Sequence, residues 1–121
     1  MNKTFEDLEA WQISIKLATN IYSLTKNFPK EELFGITSQM RRAAVSISSN
    51  IAEGSNRSSV KEYIKFIFIS LGSLTELESQ LILSAELGFI NQNQLTEMRM
   101  LTKKTGEIIG GLKRYLCKQL P

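Results

Sequence analysis

At 121 residues, with 42% hydrophobic side chains, two prolines (Pro29 and Pro121) and seven glycines, the chain reads as one domain over 1–121, free to form long uninterrupted helices. It holds no histidine and a single cysteine, Cys117. The commonest general base and metal ligand is therefore missing, a Glu-x-x-His di-iron bundle is excluded, and no intrachain disulfide can form. The net charge of +3 is modest but uneven, since residues 91–121 carry six basic side chains against Glu97 and Glu107. No uninterrupted apolar run approaches the roughly 20 residues of a membrane span. The opening MNKTFEDLEAW lacks the apolar core of a signal peptide, so a cytoplasmic location is expected. Cys117, near the end of an amphipathic segment, reads as a small packing residue.

The first helix is predicted from about Phe5 to Asn27. Thr4 and Asp7 have capping-box spacing, with the short Asp in place of Glu or Gln. Leu8, Trp11, Ile15, Ala18 and Tyr22 form one apolar row and Ala10, Leu17, Ile21, Leu24 and Phe28 another, with Ile13 between them. A surface that broad exceeds what one helix of a small bundle buries, so part of it is a candidate contact with another subunit through Trp11, Ile13 and Leu17. A core tryptophan is the alternative reading of Trp11. Phe28 and Pro29 stop the helix because the residue before proline is pushed out of the helical region. In the following PKEELFG, Glu31 and Glu32 read as solvated or helix-capping carboxylates, and Leu33 and Phe34 as residues that tuck against a bundle end.

Between Thr37 and Glu53 there is no Pro or Gly, and Ile36, Met40, Ala43, Ile47 and Ile51 make a helical stripe. Ala43, Ala44, Ser46, Ser48, Ser49 and Ala52 add a surface of small side chains that another helix could approach closely. Arg42, Ser46, Ser49 and Glu53 form a polar stripe with Asn50 beside it, and Gly54 sits where a left-handed residue would end the helix. Arg42, Asn50 and Glu53 are readable as a hydrogen-bonded structural network, or Arg41 and Arg42 as contacts to a phosphate backbone or partner chain; one arginine can do each.

GSNRSS is a loop, and Ser59 with Glu62 forms a capping box that starts a third helix at Val60, running to about Leu87. Val60, Ile64, Ile67, Leu71, Leu74, Leu81 and Ala85 mark its core side. Arg57, Lys61 and Lys65 make a basic ridge that joins Arg41 and Arg42 only if the fold brings them together. Glu76 and Glu78 lie two apart on a helix and point in different directions, which rules out joint acid/base work. Gly72 and Ser73 would allow close approach to another helix, such as the small-residue face of the second. Gly88 ends the third helix, Phe89 and Ile90 pack the corner, and Asn91 or Asn93 caps the fourth. Leu95, Met98, Thr102, Thr105, Ile109, Leu112 and Leu116 step by three and four as its seam. Gly106, Gly110 and Gly111 either weaken this helix or mark close helix contacts.

Residues 28–57, FPKEELFGITSQMRRAAVSISSNIAEGSNR, resemble the signature of the 23S rRNA-intervening sequence proteins, whose pattern runs through F-P-x-x-E, Q-x-R-R-A-x-x-S and N-I-A-E-G. Gln39, Arg42, Ser46, Asn50, Glu53 and Gly54 are its structural signature here, and the likeness extends from Phe5, Leu8 and Trp11 to GSLTELESQL at 72–81. The resemblance implies a four-helix bundle assembling as a homopentameric ring; some members are encoded within intervening sequences of 23S rRNA genes. A related group comprises the basic accessory proteins of diversity-generating retroelements, which bind nucleic acid and a reverse transcriptase.

Four amphipathic segments with short connections predict an all-α, up-down-up-down antiparallel four-helix bundle. The chain carries no phosphate loop, metal constellation, nucleophile–base pair or dinucleotide fingerprint, so neither an enzyme nor a cofactor is expected. With the resemblance, the leading expectation is a non-catalytic homo-oligomer that binds nucleic acid, RNA first. Arg41, Arg42, Arg57, Lys61, Lys65, Arg99, Lys103, Lys104, Lys113 and Arg114 are its candidate phosphate contacts. The alternative is a protein-interaction scaffold, or an accessory subunit of a nucleic-acid-processing partner such as a reverse transcriptase.

Overall fold

Apolar residues recurring at three and four produce four helices, which the computed structural model describes over residues 4–121: α1 (Glu9–Thr25), α2 (Ile36–Ser55), α3 (Val60–Glu86) and α4 (Gln92–Cys117). No strand occurs among the described residues; Met1 to Lys3, part of the expected domain, lie outside them. Each helix packs on its chain neighbours, and α4 closes back on α1. Cross-helix bonds show α2 and α3 to be antiparallel and tie α4 to α3. Ser70 donates to the Ile47 carbonyl (2.8 Å) and Ser84 reaches Met40, while Thr102 donates to Glu78 (3.2 Å).

The first helix starts later than its pattern suggests. Thr4 Oγ1 accepts from the Glu6 N–H (3.2 Å) and Asp7 Oδ2 from the Thr4 N–H (3.1 Å), closing a separate 3₁₀ turn at Phe5–Asp7. Leu8 is then extended (φ −78°, ψ 125°) before α1 begins, and the Gln12 amide donates to the Glu6 carbonyl across the break (2.9 Å). The Asp7 arm is short, so it closes a tight turn rather than the first turn of a long helix.

The core lies where the stripes predict. Leu17 and Ile21 of α1, Met40, Ile47 and Ile51 of α2, Ile67, Leu77 and Leu81 of α3, and Ile109 of α4 have no exposed surface. Each such side chain contributes about 1.5–3 kcal/mol. The full α4 seam is buried or half-buried. In α1 it is the row from Ala10 to Phe28 that faces inward, while Ile15 and Tyr22 of the other row are exposed. Leu17 (0% exposed) and Ile13 (9%) are thus core residues, which corrects their expected role as subunit contacts. Trp11 is half-buried, edge-on to the Phe5 ring at 5.1 Å.

Small residues set the α2–α3 distance. A Cβ on Gly54 would lie 2.7 Å from the Phe66 Cβ and 3.1 Å from Tyr63 Cδ1. Gly54 lies within α2 and, unlike Gly88, has no positive φ, so it is a packing glycine and not the expected left-handed terminator. The neighbouring Tyr63 is half-buried, and this burial pushes its hydroxyl pKa above the ordinary 10.0. Gly88 (φ 78°) does end α3: the Phe89 N–H returns to the Ser84 carbonyl (2.9 Å) and the Gly88 N–H to Ala85 (3.0 Å), a Schellman closure. Phe89 then packs on Phe28, with ring centroids 5.4 Å apart. Of the two expected caps it is Asn91 that serves, exchanging two 2.8 Å bonds with Gln94.

The glycines of α4 are not all alike. A Cβ on Gly106 would meet Leu74 at 3.2 Å, whereas one on Gly110 or Gly111 meets only the flexible Arg114 guanidinium. Gly110→Ala and Gly111→Ala are therefore each expected to raise stability by about 0.5–1 kcal/mol in urea unfolding.

Three further expectations are corrected. Phe34 is 93% exposed and Leu33 49%, so neither tucks against the bundle end; both stand in the short turn between the 3₁₀ turn Lys30–Glu32 and the start of α2. Cys117 is exposed on the last turn of α4 rather than packed. Although no uninterrupted apolar run approaches the roughly 20 residues of a span, α3 is long and apolar enough to cross a membrane by length and composition. Its buried Ser70 and Ser73 bond to α2, as suits a bundle helix.

Candidate nucleic-acid interface

The signature residues divide between packing and surface. Ser73 Oγ donates to Ser46 Oγ (2.9 Å), and the Asn50 amide donates to Ser46 Oγ (3.0 Å) and to the Ser46 carbonyl (2.8 Å). This Asn50–Ser46–Ser73 chain ties α2 to α3 and replaces the expected Arg42–Asn50–Glu53 network. Glu53 instead makes an exposed pair with Arg57 (3.8 Å), a geometry of little energetic weight. Arg42 is exposed over a polar cleft lined by Gln39, Ser46, Ser73 and Glu76.

Of the adjacent arginines, Arg41 is the structural one. Its Nε donates to Thr25 Oγ1 (2.9 Å) and its guanidinium lies 4.7 Å from the Tyr22 ring centroid, clamping α2 to α1. Arg41→Ala is expected to cost about 1 kcal/mol of stability and to leave polyanion affinity unchanged, checked by thermal unfolding beside a filter-binding assay.

The remaining cations fall into separate patches. Arg42 lies thirteen residues before the end of α2 at Ser55, about 20 Å at the helical rise, and Arg57 lies beyond that end, so the ridge starting at Arg57 does not join the paired arginines. Arg57 stacks over Phe66 (4.6 Å), and Lys61 and Lys65 continue along exposed α3. Lys113 joins that end from α4 with its ammonium 5.2 Å from the Phe68 ring centroid. Arg114 is exposed, its guanidinium folded back toward Gly110 on its own helix.

The third patch lies between α1 and α4. There runs a groove of about 620 Å³, floored by Leu24, Met98 and Leu101 and edged by Lys16 and Lys104. Asn20, Ser23, Asn27 and Gln94 supply neutral donors and acceptors along it, and Glu97 one carboxylate. Met100, 68% exposed, crests α4 between this groove and a smaller depression where Arg99 and Lys103 lie with Thr96 and Glu78. Four cations therefore share one surface. Among the described residues none of them has a carboxylate within 4 Å. Cations without an internal partner, beside hydroxyl and amide side chains, suit a phosphodiester chain, where cations neutralise phosphate and neutral groups position the backbone. Sequence reasoning found Arg99, Lys103 and Lys104 but missed Lys16, Asn20 and Asn27, which only the closure of α4 onto α1 brings alongside.

Glu32 extends its carboxylate over Gly35 at the start of α2, where the helix dipole favours an anion. Among the described residues no group of three or more Asp, Glu or Cys side chains is placed to hold a metal.

Comparison with known proteins adds a family and a fold. The model of the family described as 23S rRNA-intervening sequence protein matches residues 6–111. The chain is also similar to a crystal structure of a protein of unknown function from the S23 ribosomal protein family of Bacteroides thetaiotaomicron, with a TM-score of 0.80 at 23% identity, covering 87% of this chain and 95% of that one. Among curated proteins there is no match.

Proposed function

From a chain that belongs to the 23S rRNA-intervening sequence protein family, we infer a non-catalytic, homo-oligomeric protein that binds RNA in the cytoplasm through the basic surface of α4 and α1. The observation that carries this reading is the convergence of Lys16, Arg99, Lys103 and Lys104 around the groove and Met100, without internal ion pairs among the described residues. Such a surface grips the sugar–phosphate backbone and reads few base edges. One protomer offers only a handful of contacts. A homo-oligomer, with the ring of five that the family resemblance implies, repeats the patch so that weak contacts add. Arg42, Lys61, Lys65, Lys113 and Arg114 act as secondary contacts reached only by a long or folded RNA.

The test is a titration of labelled structured RNA at several salt concentrations. Four phosphates neutralised per bound protomer would give a slope of log K against log salt of about −3 to −4. No affinity even at low salt would refute RNA binding.

Phe34, almost wholly exposed beside Leu33, favours a second reading, a scaffold or accessory subunit that docks a protein such as a nucleic-acid-processing enzyme. Affinity for that partner would be nearly independent of salt and lost in Phe34→Ala, whereas RNA affinity would be unaffected by that change.

A further inference from the structure

Gly72 sits in the middle of α3, where glycine costs about 1 kcal/mol relative to alanine, yet a Cβ built on it meets nothing within 4 Å. No neighbouring helix of the protomer requires it. Around it, α3 turns an apolar face to solvent: Phe68 is 56% exposed, Ile69 51%, Ile82 40% and Leu83 49%. Between the apolar pairs the exposed residues Gly72, Thr75, Glu76 and Ser79 are small or polar, and small residues flanked by exposed apolar side chains suit close packing against a second helix.

The pattern of that face identifies the second helix. Gly72 lies three residues before Thr75, and Ser79 three after Glu76. Phe68 and Leu83 stand seven residues out from the same centre, and Ile69 and Ile82 six. Lys65 and Glu86 stand ten out, both exposed and opposite in charge. The face is its own complement when read backwards. Laid antiparallel on a copy of itself, it sets Gly72 against Ser79, Phe68 against Leu83 and Lys65 against Glu86. Glu76, beside the centre, accepts from the Gln80 amide (3.2 Å) and lines the cleft under Arg42, which places a cation next to the one carboxylate that would meet its own copy.

We propose that two copies of this chain pair antiparallel through the outer faces of α3, about a twofold axis beside Thr75 and Glu76. This contact is isologous, unlike the head-to-tail contact that closes a ring, and it adds a twofold to any ring the protein forms. It stands independently of the α4–α1 RNA surface; of the secondary RNA contacts it engages Lys65, which then meets RNA only in the unpaired protomer.

A residue beside a twofold axis meets its own copy, which no head-to-tail contact allows. In a Cys117→Ser background, Thr75→Cys is therefore expected to give a disulfide-linked pair on mild oxidation at micromolar concentration. Lys65→Glu should lower the yield about tenfold by opposing like charges at both ends, and Lys65→Glu/Glu86→Lys should restore it. Circular dichroism confirms that each variant is folded. Absence of the linked pair in folded protein, or a yield that ignores the reversal, overturns the proposal. Single copies that float with anionic vesicles would also overturn it and give the face to a lipid surface.

Discussion

Replacing Arg99, Lys103 and Lys104 together by glutamate is expected to weaken RNA binding by at least about 100-fold at low salt and to leave the fold unchanged. Each basic side chain at a phosphate contributes on the order of 1 kcal/mol, so three give about two decades in affinity, and reversal adds repulsion. The substitutions are safe for the bundle because all three side chains are exposed and make no ion pair among the described residues. Filter binding at two salt concentrations, with circular dichroism as the fold control, reads both effects. The matching reversal of Lys61 and Lys65 should cost much less, since those two lie on α3 away from the groove. Equal losses from both variants would indicate a diffuse cation cloud rather than a patch.

Gly54→Ala is expected to be the most damaging one-atom change in the chain. A new Cβ at 2.7 Å from the Phe66 Cβ cannot be absorbed by rotating a long side chain, because the opposing atom is fixed to the α3 backbone. Overpacking of this kind costs about 1–3 kcal/mol, more than the roughly 0.5–1 kcal/mol that alanine gains over glycine inside a helix. Urea unfolding should show a lower midpoint with an unchanged slope, and Gly54→Val a larger drop still. Gly110→Ala serves as the control, since the same chemical change there meets only a flexible guanidinium and is expected to stabilise.

That contrast also explains what could be read from the sequence. Helix positions and core stripes were legible because Ile36, Met40, Ala43, Ile47 and Ile51 can recur at that spacing on one face only if the segment is helical, and all five are buried. Gly54 was misread because a glycine followed by SNRSS looks like a helix end, and the approach of Phe66 is a tertiary fact. Phe34 was misplaced because aromatic character alone implies burial, whereas it stands 93% exposed in the short turn before α2. The groove was half legible. Arg99, Lys103 and Lys104 stood out as local basicity in α4, whereas Lys16 and Asn20 sit in an unremarkable stretch of α1 and gain meaning only from the α1–α4 seam. The paired arginines could not be told apart by spacing, since the distinction rests on Tyr22 and Thr25 of another helix.

Light scattering coupled to size exclusion, on the protein alone and then mixed with structured RNA at low salt, tests the proposed function most directly. The expected result is a particle of several protomer masses that carries RNA with it and releases it as salt is raised. A particle of one protomer mass, eluting apart from the RNA at the lowest salt, would contradict it.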